Sequence, residues 1–351
     1  MLKKSTVLTA MSFMLATSAL TGCSSANGKA ASEKSETGAT VTATENNETK
    51  TDAEPLKVVC TIFPEYDWTK EILGSHAENV DISYLLDSGI DLHNYQPTAD
   101  DIMKISTCDL FVYVGGESDE WVEDALENAV NKDMKVINLM DALGDFAKAE
   151  ELKEGMQGEE EEESEEEDEE EEIEYDEHVW LSLKNAKLLC TEIESSLEAI
   201  DPANAADYKS NLASYVSELD ELDSSFKALV DSASVKTLIF GDRFPFRYFV
   251  DDYRLDYFAA FIGCSAESEA SFETIKFLSD KVKELGCDTV YTLENSNKDI
   301  ANAVISSSGK SGVKIAELNS LQSVSKNDIK DGASYISLMQ KNYDVLSGTL
   351  K

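Results

Sequence analysis

From Leu56 onward, short runs of β-branched and aromatic residues alternate with longer stretches whose apolar positions recur every three or four residues. In the first half this pattern predicts strands over 57–63, 80–86, 110–114 and 135–139. Helices are expected near 65–73, 98–105, 121–130 and 183–200. The second half repeats the alternation, with strands over 236–240, 255–261, 289–293 and 314–318 and helices near 246–253, 272–285, 298–306 and 333–346. Between the halves, Tyr208, Leu212, Tyr215, Leu219, Leu222, Phe226 and Val230 form one apolar stripe with no Gly or Pro inside it. Asp201 followed by Pro202 reads as its N-cap and first helical residue. Strand–helix alternation argues for an α/β fold with parallel sheets, because parallel neighbours need a crossover, usually a helix. The expected architecture is two similar lobes, 55–200 and 234–351, each a parallel sheet of about four strands flanked by helices. One long central helix over 201–233 joins them.

The first 54 residues depart from this pattern. Lys3 and Lys4 precede a mostly apolar stretch from Val7 to Leu20, a secretory leader too short to span a membrane comfortably. It ends in Leu20-Thr21-Gly22-Cys23, which resembles the bacterial lipobox, in which the chain is cut before the Cys and the new terminus acylated. Residues 1–23 are therefore expected to be a lipoprotein signal with Cys23 the lipidated residue. Residues 24–54 hold almost no large apolar side chain and are expected to form a disordered tether. The folded body would sit outside the cytoplasm, anchored to a bacterial cell membrane through its lipid. The other cysteines, Cys60, Cys108, Cys190, Cys264 and Cys287, form no CxxC pair and read as small buried hydrophobes rather than a disulfide framework.

Charge narrows the function. The chain has 30 Lys+Arg against 70 Asp+Glu, a net charge of −40. Such a polyanion is repelled by nucleic acid and by anionic lipid, and its natural counterparts are cations. Part of the excess is local: an insert over about 158–177 is nearly all glutamate, without a Lys or Arg. It reads either as a solvated segment or as a loose collector of cations.

In open parallel sheets, ligands bind beyond the carboxyl ends of the strands. The residues there are Asp91-Leu-His93-Asn-Tyr95 after the second strand, Asp176-Glu177-His178 before the 183–200 helix, Asp242-Arg243, Glu294 and Asn319. Two of the chain's three histidines fall in this set, each with acids nearby that could hold its second ring nitrogen, and imidazole is the usual zinc ligand. The third, His76, reads as a surface residue at a helix end.

The segments VVCTIFPEYDWTKEILG, DLHNYQPTADDI, CDLFVYVGGESDEWVEDAL and DEHVWLS, with the lipobox and the long central helix, resemble the zinc/manganese-type metal-binding lipoproteins of ABC transporters. The likeness covers essentially the whole body from Leu56. It implies a two-lobed fold, capture of Zn²⁺ or Mn²⁺ in the inter-lobe cleft, and delivery to a membrane permease, with no catalysis and a monomeric protein. His93 and His178 match the family's first two ligands. The third position aligns with Arg243 and the fourth with Asn319, neither of them the expected donor, and a guanidinium cannot ligate a cation. Asp242 and Glu294 are the substitutes within reach, with Arg243, Asn319 and Glu177 as further cleft residues; Arg243 could pair with Glu294 or another cleft acid as a gate. The readings set against this one are a same-fold protein remodelled for another solute, an acidic calcium-binding adhesin, and a surface zinc hydrolase. The last lacks any HExxH or GxSxG.

Overall fold

A computed structural model of the chain describes residues 54–158, 174–265 and 269–350. The leader, Cys23, the tether and most of the acidic insert lie outside the described residues. The first half runs β1 (Leu56–Cys60), α1 (Phe63–Leu73), β2 (Val80–Tyr84), α2 (Ala99–Thr107), β3 (Leu110–Tyr113), α3 (Trp121–Glu127), β4 (Lys135–Asn138) and α4 (Leu139–Leu143). Its four strands form one parallel sheet in the order β2-β1-β3-β4. Two long helices follow, α5 (Leu183–Ile200) and α6 (Ala205–Ser232). The second half runs β5 (Thr237–Ile239), β6 (Arg243–Phe244), α7 (Arg247–Tyr253), β7 (Asp256–Phe258), β8 (Phe261–Ile262) and α8 (Phe272–Glu284). It continues with β9 (Thr289–Leu293), α9 (Asp299–Ser308), β10 (Lys314–Leu318), α10 (Lys326–Lys330) and α11 (Tyr335–Thr349). Here β5 pairs with β7 and β9 with β10, all parallel, and a parallel bridge from Phe240 to Tyr291 joins the pairs into the order β7-β5-β9-β10. The short strands β6 and β8 pair separately. The chain thus has the α/β fold with parallel sheets flanked by helices that its periodicity implies.

Three details differ from the pattern. The long helix starts at Ala205 with Asn204 as N-cap, not at Pro202. The Asp201 carboxylate instead accepts from the Asn204 amide at 2.7 Å and the Tyr208 hydroxyl at 2.6 Å, which closes a turn around Pro202. The strand expected over 255–261 breaks at Ala259-Ala260 into β7 and β8. A segment ahead of the acidic insert is zipped to the insert's last residues. The Glu150 N–H donates to Glu174 and the Asp176 N–H to Lys148, each at 2.9 Å, around a bridge between Ala149 and Tyr175. This pairing braces Asp176 and the residues that follow it.

The core runs through both halves. Trp68 of α1 and Tyr335 of α11 are fully buried and meet edge to face at 5.1 Å. The Tyr335 hydroxyl donates to the Trp180 carbonyl at 2.6 Å, and the Trp180 indole N–H to the Ser320 carbonyl at 2.8 Å. The Tyr84 hydroxyl, at the end of β2, donates to the Val324 carbonyl at 2.8 Å. Rigid aromatics with satisfied polar ends thus tie the loops after β2 and before α5 to those after β10.

Candidate metal centre

His93 lies on a short 3-10 turn, Leu92–Asn94, whose N-cap Asp91 accepts from the His93 N–H at 3.1 Å. His178 directly precedes another such turn, Val179–Leu181, and its N–H donates to Asp176 Oδ1 at 2.9 Å. Asx-type bonds two residues back thus set both backbones. The His178 ring is fully buried, and the two Nε2 atoms approach to 3.2 Å. Two imidazole nitrogens bound to one tetrahedral zinc at about 2.0–2.1 Å would stand roughly 3.3 Å apart. The observed separation already has that spacing. Gly263 permits it, since a Cβ at this position would sit 3.0 Å from both His178 Cε1 and the Phe244 carbonyl oxygen.

The opposite ring nitrogens are held from behind. His178 Nδ1 lies 3.0 Å from Asp176 Oδ1, and a carboxylate can only accept, so the proton belongs on Nδ1. His93 Nδ1 lies 2.8 Å from the Ser118 hydroxyl and 3.5 Å from Glu177 Oε2. Glu177 is buried, accepts from the Ser118 N–H at 2.8 Å through Oε1, and has no hydrogen-bond partner for Oε2. Burial, reinforced by electrostatic repulsion from the neighbouring His178 ring and the Arg243 guanidinium, holds His93 well below the ordinary imidazole pKa, so its ring is neutral.

The buried Gln322 amide has partners for both ends in one orientation only. Its nitrogen faces the two Asp91 oxygens at 2.8 and 3.1 Å, and its carbonyl oxygen lies 2.6 Å from His178 Nε2. The preceding residue, buried Leu321, has φ +64°, a left-handed conformation costly for a bulky side chain, held by the Asn319 Oδ1 acceptor on its N–H at 2.8 Å. With the proton of each ring on Nδ1, toward Asp176 and toward Ser118 with Glu177, two imidazole lone pairs and one amide oxygen would converge. Such a convergence calls for a positive charge, either a second ring proton or a metal ion. Cys264 completes the group. Its Sγ and one ring nitrogen from each histidine all lie within 4.8 Å of one another, the one such set of three His, Cys, Asp or Glu ligand atoms among the described residues. Burial, with Asp176, Glu150 and Glu177 adding negative charge, pushes the Cys264 thiol well above its ordinary pKa. His93, Cys264, Glu150, Glu174 and Glu177 line a cavity of about 260 Å³, whose glutamates favour cations.

The other sequence candidates fall beside this group rather than in it. Glu294 accepts from the Ser320 N–H at 2.7 Å and the Ser320 hydroxyl at 2.6 Å, and burial raises its pKa. Asp242 accepts from the Arg243 N–H at 2.9 Å and the Leu293 N–H at 3.1 Å, tying β5 to β9. Neither carboxylate is grouped with the imidazoles and Cys264: in this structure each is engaged in holding loops together. Arg243 pairs not with Glu294 but with Asp91, at 2.6 Å. Burial raises the Asp91 pKa, but Arg243 and His93 more than offset this and hold it below the usual carboxylate value. Asn319 exchanges two backbone bonds with the Asn342 amide, at 2.7 and 2.8 Å. His76 is bonded to Asp207 at 2.8 Å, away from the centre. Gln322 and Cys264 were not singled out by the sequence: an amide carries no metal signature, and Cys264 sits in an apolar run.

The family model described as the periplasmic zinc-uptake complex component A matches residues 58–348. The chain is 33% identical over 294 residues to the zinc-binding lipoprotein AdcA of Streptococcus pneumoniae strain R6, covering 84% of this chain and 56% of the relative. It therefore spans about half the length of the AdcA relatives it matches. It is 31% identical over 314 residues to the high-affinity zinc uptake system protein ZnuA of Bacillus subtilis, covering 88% of this chain and 93% of the relative. Among solved structures, the Zn(II)-bound ZnuA-like domain of Streptococcus pneumoniae AdcA matches with a TM-score of 0.66 and 30% identity, covering 84% of this chain and 99% of that one.

Proposed function

The chain belongs to the family of the zinc-uptake complex component A, and on that premise we propose that it captures Zn²⁺ outside the cytoplasm and delivers it to an ABC-transporter permease. The single observation that carries the reading is the 3.2 Å approach of two Nε2 atoms whose rings are held from behind by Asp176 and by Ser118 with Glu177. Imidazole is the usual ligand of zinc, and a partner on the far ring nitrogen orients the ring and raises its basicity. The Gln322 oxygen supports a third bond from the second half, so the ion would be gripped by loops from both halves. A glutamate-lined approach draws cations in, and no covalent step is needed: capture and release are ligand exchange. Cys23 would carry the anchoring lipid, and the body would act as a monomer.

Nitrogen donors favour zinc over manganese and calcium, which prefer oxygen. Calorimetry of the chelator-stripped mature chain with Zn²⁺, Mn²⁺ and Ca²⁺ tests the reading. One tight zinc per chain is expected, with affinity falling by more than about 100-fold in His93→Ala or His178→Ala, since even the loss of an outer partner costs 10–100-fold. Zinc binding indifferent to both substitutions would sink it.

A further inference from the structure

Five cysteines lie among the described residues and none is in a disulfide. Four have ordinary surroundings. The Cys60 thiol lies 3.7 Å from the Thr69 hydroxyl, Cys108 donates to the Ile105 carbonyl, Cys190 is fully buried in the core, and Cys287 sits on the turn after α8. Cys264 differs. It follows β8 directly after Gly263, the residue whose missing side chain makes room for the His178 ring. Its N–H is anchored by Glu150 Oε1 at 3.3 Å, on the segment that pins the acidic insert. Its sulfur lies within 4.8 Å of one ring nitrogen of His93 and one of His178, and it lines the same cavity as His93.

We propose that Cys264 supplies a thiolate as a further protein ligand to the ion held by His93 and His178, and that this sulfur makes the site selective for thiophilic divalent ions over manganese and calcium. The proposal rests on the zinc reading above and names its selectivity. Zinc with one sulfur at about 2.3 Å and two nitrogens at about 2.0–2.1 Å requires S···N separations near 3.6 Å. The 4.8 Å bound on the present set leaves at most about 1.2 Å to close on binding. As the sulfur–metal bond forms, the thiol proton leaves to water, so no oxidant or reductant is involved. A soft sulfur adds nothing for hard Mn²⁺ or Ca²⁺ and much for Zn²⁺, Cd²⁺ or Co²⁺. The chain would thus recover the discrimination that the unsuitable Arg243 position does not provide.

The test uses the chelator-stripped mature chain with Co²⁺ and Cd²⁺ as probes and Zn²⁺ against Mn²⁺ in competition. Thiolate-to-metal charge transfer in the near ultraviolet is expected in the wild type, and its absence in Cys264→Ser and Cys264→Ala. It should persist in Cys287→Ser. Zinc affinity should fall at least about 10–100-fold in the Cys264 variants, with manganese affinity changing only a few-fold. Wild-type protein that binds one zinc without any charge-transfer band overturns the assignment of sulfur and leaves the zinc reading intact. Wild-type protein that binds no zinc overturns both. If neither Cys264 variant folds, the wild-type spectrum decides: a band supports the thiolate only if it survives in each of the single variants Cys60→Ser, Cys108→Ser, Cys190→Ser and Cys287→Ser.

Discussion

Two cavities are lined by residues of the 91–94 turn, and they treat their polar atoms in opposite ways. One holds His93 and Cys264 among glutamates, in about 260 Å³. The other is lined by Asp91, Asp242, Arg243 and Glu294, in about 360 Å³. The larger one has more of the groups expected of a binding site, yet its carboxylates are engaged: Asp242 and Glu294 hold backbone N–H groups and Asp91 holds Arg243. Around His93, two imidazole nitrogens stand 3.2 Å apart with an amide oxygen 2.6 Å from one of them, so whichever ring protons are present are shared within the group itself. What singles out the candidate centre is therefore not the number of acids near a strand end but two imidazole nitrogens facing one another with their opposite edges already held.

The sharpest way to break this contrast is to disturb the support of one lone pair without removing it. In Asp176→Asn the amide can present nitrogen rather than oxygen to His178 Nδ1, which would move the ring proton to Nε2. Zinc affinity is expected to fall about 10–100-fold while the fold persists. Competition against a chelator of known zinc affinity measures the fall, and an unchanged value would mean the tautomer is not set by Asp176.

A smaller effect is expected at Gly263. Alanine there adds a Cβ at 3.0 Å from both the His178 ring and the Phe244 carbonyl oxygen, tighter than an ordinary contact. The carbonyl belongs to a paired strand, so the ring must give by a few tenths of an ångström. Zinc affinity should drop several-fold, up to about 10-fold, because ligand geometry rather than ligand identity is altered. Wild-type affinity in Gly263→Ala would show that the close packing is incidental.

These residues also show what the chain discloses by itself. The elements were legible because periodicity reports which face is buried, and both sheets follow from it. His93 and His178 were legible because histidine is scarce here and both stand in strand-end or pre-helix loops beside acids. The zipper between 148–150 and 174–176 was hidden, since Lys, Ala and Glu carry no strand signal and the pairing spans the insert. Cys264 and Gln322 were hidden for a different reason. Their meaning depends on Gly263 and on the left-handed Leu321, whose conformations come from packing and not from the local sequence.

Glu294 gives the smallest expected effect and the most discriminating one. Strand-end logic makes it a ligand; its hydrogen bonds make it a brace for Ser320, two residues before Gln322. Glutamine at this position keeps an oxygen to accept the Ser320 N–H, and the Ser320 hydroxyl can turn to accept from the new amide nitrogen. The loop should hold, and zinc affinity in Glu294→Gln should stay within about 3-fold of wild type, since no metal bond is lost. The variant should also be at least as stable at pH 8 as the parent. Burial raises the Glu294 pKa above its unfolded value, so the folded state favours the protonated acid. That favour is present at low pH and lost as pH rises through the folded pKa, and a neutral amide removes the loss. Thermal melts at pH 4 and pH 8 measure this as a difference in melting temperature between variant and parent that is larger at pH 8. If zinc affinity instead fell as far as in His178→Ala, Glu294 would be a ligand, and the contrast between engaged and spare acceptors would fail.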